Sequence, residues 1–174
     1  MEVIARPLTS GEIALARLVF GSAIDYRRVR IHNTRFIPFL QRKDVCITPN
    51  GELYFHISRY RPDFSLATPP EQQWFMHEMA HVWQYQLGYP VMWRGAIRLG
   101  LRYDYEVSPQ LRLCDFNMEA QAEVLADYFA LVYQRESDPG VYADMLCDFL
   151  RDPSSPSNLP RMLFSRPPER PGGC

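Results

Sequence analysis

Apolar residues recur at helical spacing in four stretches of the chain, and a β-branched region lies between the first two. Thr9-Ser10-Gly11-Glu12 fits a capping box, and Ile13, Leu15, Ala16, Leu18, Val19 and Phe20 follow before Gly21, so a short first helix is expected there. The pattern then changes. Arg28 to His32 reads as strand, and Asp44-Val45-Cys46-Ile47-Thr48 is joined through Pro49-Asn50-Gly51 to Glu52-Leu53-Tyr54-Phe55-His56-Ile57, which predicts a small antiparallel sheet with one hairpin. Thr68-Pro69-Pro70-Glu71 is a second capping box with proline at the first helical position. No breaker follows until Gly88 and Pro90, which predicts a helix over about residues 69 to 87.

Residues 88 to 115 read as a long connection, with a helical turn or two within Val91 to Leu101, and as the place for a cleft wall or lid. Asp115 or Asn117 can cap a third helix running through Leu131, because Phe116, Ala120, Val124, Leu125, Tyr128 and Leu131 recur at helical spacing. Asp138-Pro139 starts a fourth, ending near Leu150. The residues beyond 151 hold six of the fifteen prolines and read as an extended or mobile tail. The organisation expected is one α+β domain over residues 1 to 151 and a Pro/Gly-rich tail over 152 to 174.

Composition narrows the function by exclusion. A length of 174 residues with 47% hydrophobic and 22% charged residues suits one folded domain with its own core. A net charge of -1 leaves no electrostatic footprint for nucleic acid. The first residues lack the basic and apolar regions of a cleavable signal peptide, and no apolar run is long enough to predict a membrane span. Cys46, Cys114, Cys147 and Cys174 are too far apart for a CxxC pair and read as buried or free thiols.

The chemistry concentrates in His77-Glu78-Met79-Ala80-His81, an HExxH motif within the second predicted helix. Residues four apart on a helix differ by about 40° around its axis, so both imidazoles can face one zinc ion. Glu78, next to the first ligand, is placed to act as general base instead of ligand. A catalytic zinc takes three protein ligands and keeps one open position. No histidine follows His81, so a carboxylate must complete the set, and Glu119, Glu123 and Asp127 share one face of the third helix.

His77 to Gln84, continuing Tyr85-Gln86-Leu87-Gly88-Tyr89-Pro90, resembles the metallopeptidase domains found with type VI secretion spike and Rhs-type toxin proteins. Arg6-Pro7-Leu8-Thr9 with Gly11-Glu12-Ile13-Ala14, then Asp25-Tyr26, Val29-Arg30-Ile31-His32, and Asn117-Met118-Glu119-Ala120-Gln121 through Asp127-Tyr128-Phe129 are similar to the same group. The likeness spans roughly residues 6 to 150.

This resemblance implies a zincin-like fold and assigns the third ligand to Glu119, the carboxylate of Asn-x-Glu-x-Gln. The Glu-x-x-x-Asp pattern of other glutamate zincins matches Glu123 and Asp127 instead, with the Asp supporting a histidine. It further implies a zinc-dependent metallopeptidase acting as an antibacterial effector, carried by a contractile secretion system into the recipient periplasm. A peptide or the peptide part of peptidoglycan would be its substrate, and a spike protein and an immunity protein its partners. The alternatives are a non-catalytic zinc-binding adaptor of the spike and a processing protease inside the producing cell.

Around such a site, Tyr103, Tyr105 and His32 are candidates to steady an oxyanion, although residues of this kind are more often structural. An edge strand of the sheet offers pairing to an extended peptide. Trp74 and Trp83 read as core and Trp93 as a candidate subsite wall, while Arg94, Arg98 and Arg102 form a stripe that reads as a solvated face.

Overall fold

The computed structural model describes residues 5–36, 41, 46–91 and 105–161. Strand β1 (Ala5–Pro7) leads into helix α1 (Ser10–Phe20), whose capping box forms as the sequence predicts. Thr9 Oγ1 accepts from the Glu12 N–H at 3.0 Å and Glu12 Oε2 accepts from the Thr9 N–H at 2.9 Å. Glu12 is fully buried and does more than cap. It takes two hydrogen bonds from the Arg6 guanidinium, at 2.7 and 2.8 Å, and one from the Phe64 N–H at 2.9 Å, so one carboxylate ties β1, α1 and the loop before the second helix together.

β2 (Arg30–His32) pairs antiparallel with β1, Arg6 opposite Ile31, and in parallel with β3 (Leu53–Tyr54), Ile31 opposite Leu53. The sheet is therefore mixed, in the order β1-β2-β3, and not the antiparallel sheet expected. The reason is topological. The 20 residues between β2 and β3 are enough for a crossover, and a crossover returns the chain in the same direction. The predicted hairpin turn does reverse the chain at Gly51, which has φ +79°, but among the described residues its arms pair only at the Ile47–Tyr54 bridge. Asp44 and Val45 lie outside the described residues, as do Trp93, Tyr103, the three arginines of the stripe and Cys174.

Helix α2 (Pro69–Gln86) starts at Thr68 with the predicted box to Glu71, and its end is marked by Gly88 at φ +94°. Helix α3 (Met118–Phe129) is capped by Asn117, whose side chain accepts from the Glu119 and Ala120 N–H groups, and continues into a π-helical segment over Ala130–Gln134. The predicted fourth helix is two short ones, α4 (Val141–Met145) and α5 (Cys147–Arg151), interrupted at Leu146. It starts after Gly140 because that residue's φ of +51° is not helical.

α2 packs chiefly against α3. Phe75, Met79, Val82 and Trp83 from α2 meet Val124, Leu125 and Phe129 from α3 in a core that also takes Phe20 and Phe149. Trp83 stacks edge-on against Phe149 at 5.3 Å, in the core role the sequence assigns it, and Trp74 packs edge-on against Phe55 at 5.0 Å. Each fully buried core side chain, such as Phe75 or Phe129, stabilises the fold by about 1.5–3 kcal/mol.

Residues 152 to 161, placed in the tail by sequence, dock on this core. Trp83 Nε1 donates to the Pro153 carbonyl at 2.7 Å, Asn158 is buried, and the Arg161 N–H donates to the Cys114 carbonyl at 3.0 Å. No helix among the described residues is long and apolar enough to cross a membrane, and Cys46, Cys114 and Cys147 are free thiols.

Candidate metal centre

His77, Glu78 and His81 lie in the middle of α2 on its buried side, with exposures of 8%, 4% and 5%. Glu119, in the first turn of α3, is 2% exposed and lies across from them. Its Oε2 is 3.3 Å from His81 Nε2 and 3.5 Å from His77 Nε2. Ligand atoms of these three residues all lie within 4.8 Å of one another, and they form the one such cluster among the described residues. Four-coordinate zinc with bonds of about 2.0–2.1 Å separates its ligand atoms by roughly 3.3–3.4 Å. Two imidazoles and one carboxylate at these spacings fit a divalent ion such as zinc.

The carboxylates that the sequence leaves in competition are separated by position. Glu119 meets the Nε2 atoms, on the side where the two rings converge. Glu123, one turn along α3 and 34% exposed at its side chain, meets the other ring nitrogen of His77, with Oε1 3.3 Å from Nδ1. A carboxylate behind a histidine fixes its ring and raises its basicity. Asp127 lies another turn away and is held elsewhere, accepting from Gln73 Nε2 at 2.7 Å and from the Tyr105 hydroxyl.

The orientation of His81 follows from a chain of amides. Gln121 Nε2 donates to the carbonyls of Leu113 and Asn158, at 2.7 and 2.9 Å, which makes Gln121 Oε1 an acceptor. Gln84 Nε2 donates to that Oε1 at 3.0 Å and to the Met118 carbonyl at 2.9 Å, so Gln84 Oε1 is left facing His81 Nδ1 at 2.9 Å. An amide oxygen there requires Nδ1 to carry the proton. In the neutral ring Nε2 is then the nitrogen left to bind an ion beside Glu119. Both glutamines are completely buried. Their types were legible in the sequence, but their roles depend in part on distant carbonyls, Met118 for Gln84 and Asn158 for Gln121.

Charge couples the site. Burial would lower the His77 pKa, but Glu119, Glu123 and Glu78 outweigh it and hold the imidazolium up to about 10. Burial opposes ionisation of Glu119, yet the two histidines hold its carboxyl well below the usual carboxylate range. The site thus carries a proton where an ion would carry its charge.

Glu78 accepts a 2.6 Å hydrogen bond from Thr48 Oγ1, and the Cys46 thiol lies against the same carboxylate. Two of the oxyanion candidates are engaged elsewhere. His32 pairs with Glu52 at 2.8 Å and stacks on Tyr54, and the Tyr105 hydroxyl serves Asp127 and Tyr142.

The chain matches no family model. It is 42% identical over 131 residues to the type VI secretion system spike protein VgrG2b of Pseudomonas aeruginosa, which covers 71% of this chain but only 13% of that protein. Among solved structures it is similar to the effector domain of Pseudomonas aeruginosa VgrG2b, at 38% identity and a TM-score of 0.70 over 83% of this chain and 82% of that one.

Proposed function

We propose, on the premise that the chain belongs to the family of the VgrG2b effector domain and is a type VI secretion effector, that it is a zinc-dependent metallopeptidase. His77, His81 and Glu119 hold the ion, and Glu78 is the general base. The observation that carries the reading is the convergence of both Nε2 atoms on one buried carboxylate oxygen, with an acidic residue adjacent to the first histidine and outside the ligand set. A purely structural zinc closes its shell with four ligands and needs no such base.

When bound, zinc would supply a Lewis acid that polarises water and a peptide carbonyl. The rest is done by the chain. Glu78 takes the proton of the attacking water and returns it to the leaving nitrogen, so one carboxylate serves as base and then as acid. Glu123 and Gln84 keep the two imidazoles in the orientation and tautomer that present Nε2. Burial of the cluster on the α2–α3 interface keeps these groups preorganised.

The chain spans about an eighth of the spike protein it matches, so delivery alongside a spike is part of the proposal. The recipient periplasm is the proposed destination, with a protein or the peptide of peptidoglycan as substrate and an immunity protein protecting the producer. The test is the chain fused to a periplasmic export signal, compared with its Glu78→Gln variant. Growth is expected to fail only with the unaltered residue, while both forms bind one zinc. Harm that survives Glu78→Gln with zinc still bound would exclude the peptidase and leave a zinc-binding module.

A further inference from the structure

A general base is only as good as its placement, and a glutamate side chain has three rotatable bonds with which to lose it. Glu78 is buried at 4% exposure, and one of its oxygens is held from outside α2. Thr48, itself 4% exposed, donates its hydroxyl to Glu78 Oε2 at 2.6 Å across 30 residues of sequence. A short hydroxyl-to-carboxylate hydrogen bond belongs to the strong, charge-assisted class. We propose that Thr48 is the positioning residue of the general base, fixing Glu78 through Oε2 so that the carboxylate keeps a single orientation toward the water it deprotonates. The proposal rests on the peptidase reading above.

Thr48 sits on a fixed segment of chain. Ile47, its neighbour, makes both hydrogen bonds of the bridge to Tyr54, its N–H to the Tyr54 carbonyl at 3.3 Å and its carbonyl to the Tyr54 N–H at 3.0 Å. Tyr54 belongs to β3, which pairs with β2, so the segment is built onto the sheet. In extended chain, alternate residues share a face. Cys46 and Thr48 flank Ile47, and both meet Glu78. Burial and the Glu78 charge hold the Cys46 thiol well above its ordinary range, so it stays a neutral S–H beside the carboxylate. A hydroxyl is the stronger donor of the two, so Thr48 carries most of the placement. A carboxylate has about four lone-pair sites, and these contacts leave room for the transferred proton.

The sheet thereby gains a role in the chemistry. The metal-binding side chains come from α2 and α3, while the base is steered from the edge of β3.

The experiment compares Thr48→Val, which keeps the shape and removes the donor, with Thr48→Ser, which keeps the donor. Both are made in the full chain carrying the export signal, beside Glu78→Gln. Three measurements are taken on each: the expression level giving half-maximal growth inhibition, zinc per chain, and the thermal midpoint. Wild type and Thr48→Val are also crystallised with zinc. Thr48→Val is expected to raise the inhibitory level about ten- to a hundredfold, the size of a lost hydrogen bond to a charged group. Zinc stays at one per chain, and Thr48→Ser returns the level to within a few fold of wild type. The crystals should show Glu78 in one orientation on Thr48 in the wild type and displaced or split in Thr48→Val.

The proposal is overturned if Thr48→Val keeps full harm while Glu78→Gln loses it, or if Glu78 in the zinc-loaded wild type does not touch Thr48. It is also overturned if Thr48→Ser fails alongside Thr48→Val with zinc or thermal midpoint reduced, because the role would then be structural. A harmless wild type would sink the effector peptidase reading instead, and the crystal pair alone would decide the positioning.

Discussion

Zinc binding should expel one proton, and that proton should come from His77. With no ion bound, the carboxylates of Glu119, Glu123 and Glu78 outweigh the effect of burial and hold the His77 imidazolium up to about 10. An imidazole coordinates through a neutral nitrogen, so the proton must leave before the ion can enter. At pH 7 the group is about three units below its pKa, and each unit corresponds to about 1.4 kcal/mol, so protonation weakens apparent zinc affinity by about 4 kcal/mol relative to the deprotonated site. Apparent affinity should therefore rise about tenfold from pH 7 to pH 8. Calorimetric titration of zinc into the apoprotein, in two buffers of different protonation enthalpy, reads the proton count directly. The result expected is about one proton released per zinc at pH 7. A count near zero, with the same dissociation constant at pH 7 and 8, would refute the argument that Glu119 and Glu123 hold a charged His77. Stability of the apoprotein follows the same group with a definite sign. The raised His77 contributes fully below its ordinary 6.5, and that contribution is lost as pH rises through about 10. The lowered Glu119 contributes above its ordinary 4.5 and loses that contribution as pH falls.

The two glutamates of α3 should separate cleanly by metal titration. Glu119→Gln is expected to abolish stoichiometric zinc, whereas Glu123→Gln should keep the site and weaken it about tenfold, and equal losses would contradict their placement on opposite nitrogens of His77. Gln84→Met keeps the volume and removes the acceptor for His81 Nδ1, and should cost about 10- to 100-fold in zinc affinity, read by competition with a chromophoric chelator. Glu12→Gln leaves Arg6 without its charged partner in a buried network and should destabilise the fold by about 3–5 kcal/mol, read as a lowered urea midpoint.

The helices were legible in the sequence because their signals are local. Thr9 with Glu12, and Thr68 with Pro69 and Glu71, each fix a helix start within four residues, and α1 and α2 begin where those boxes place them. The histidine pair was legible for the same reason, since a helical period of four needs no tertiary information. The sheet was not. That β3 joins β2 in parallel, besides meeting Ile47 at one antiparallel bridge, depends on where a long connection returns the chain, and residue types along it do not encode that return. The choice between Glu119 and Glu123 is likewise a matter of which nitrogen each meets, and periodicity puts both on one face. Thr48 carried no signal at all, because a threonine in a strand is ordinary until its partner is known.

The amide chain behind His81 extends this dependence to the far end of the described sequence. Gln121 is polarised by two carbonyls, one at Leu113 and one at Asn158, and Asn158 in turn donates its side-chain amide to the Asp152 carbonyl at 2.9 Å. Trp83, two residues past His81, donates to Pro153 in the same segment. Buried amides that lose one partner retain a desolvation cost of about 1–3 kcal/mol, so they find another arrangement if one exists. Without the segment from 152 to 161, Gln121 would keep Leu113 alone, and a rotation of that amide could present its nitrogen to Gln84. Such a rotation is opposed by the Met118 carbonyl, which accepts from Gln84 Nε2 and keeps Gln84 Oε1 on His81 Nδ1, so the Asn158 carbonyl adds a second restraint on the arrangement that Met118 already favours. The segment is thus more than a covering of the core. It reinforces the tautomer in which His81 can serve as a ligand, and residues 152 to 161 pack with the core that holds the site.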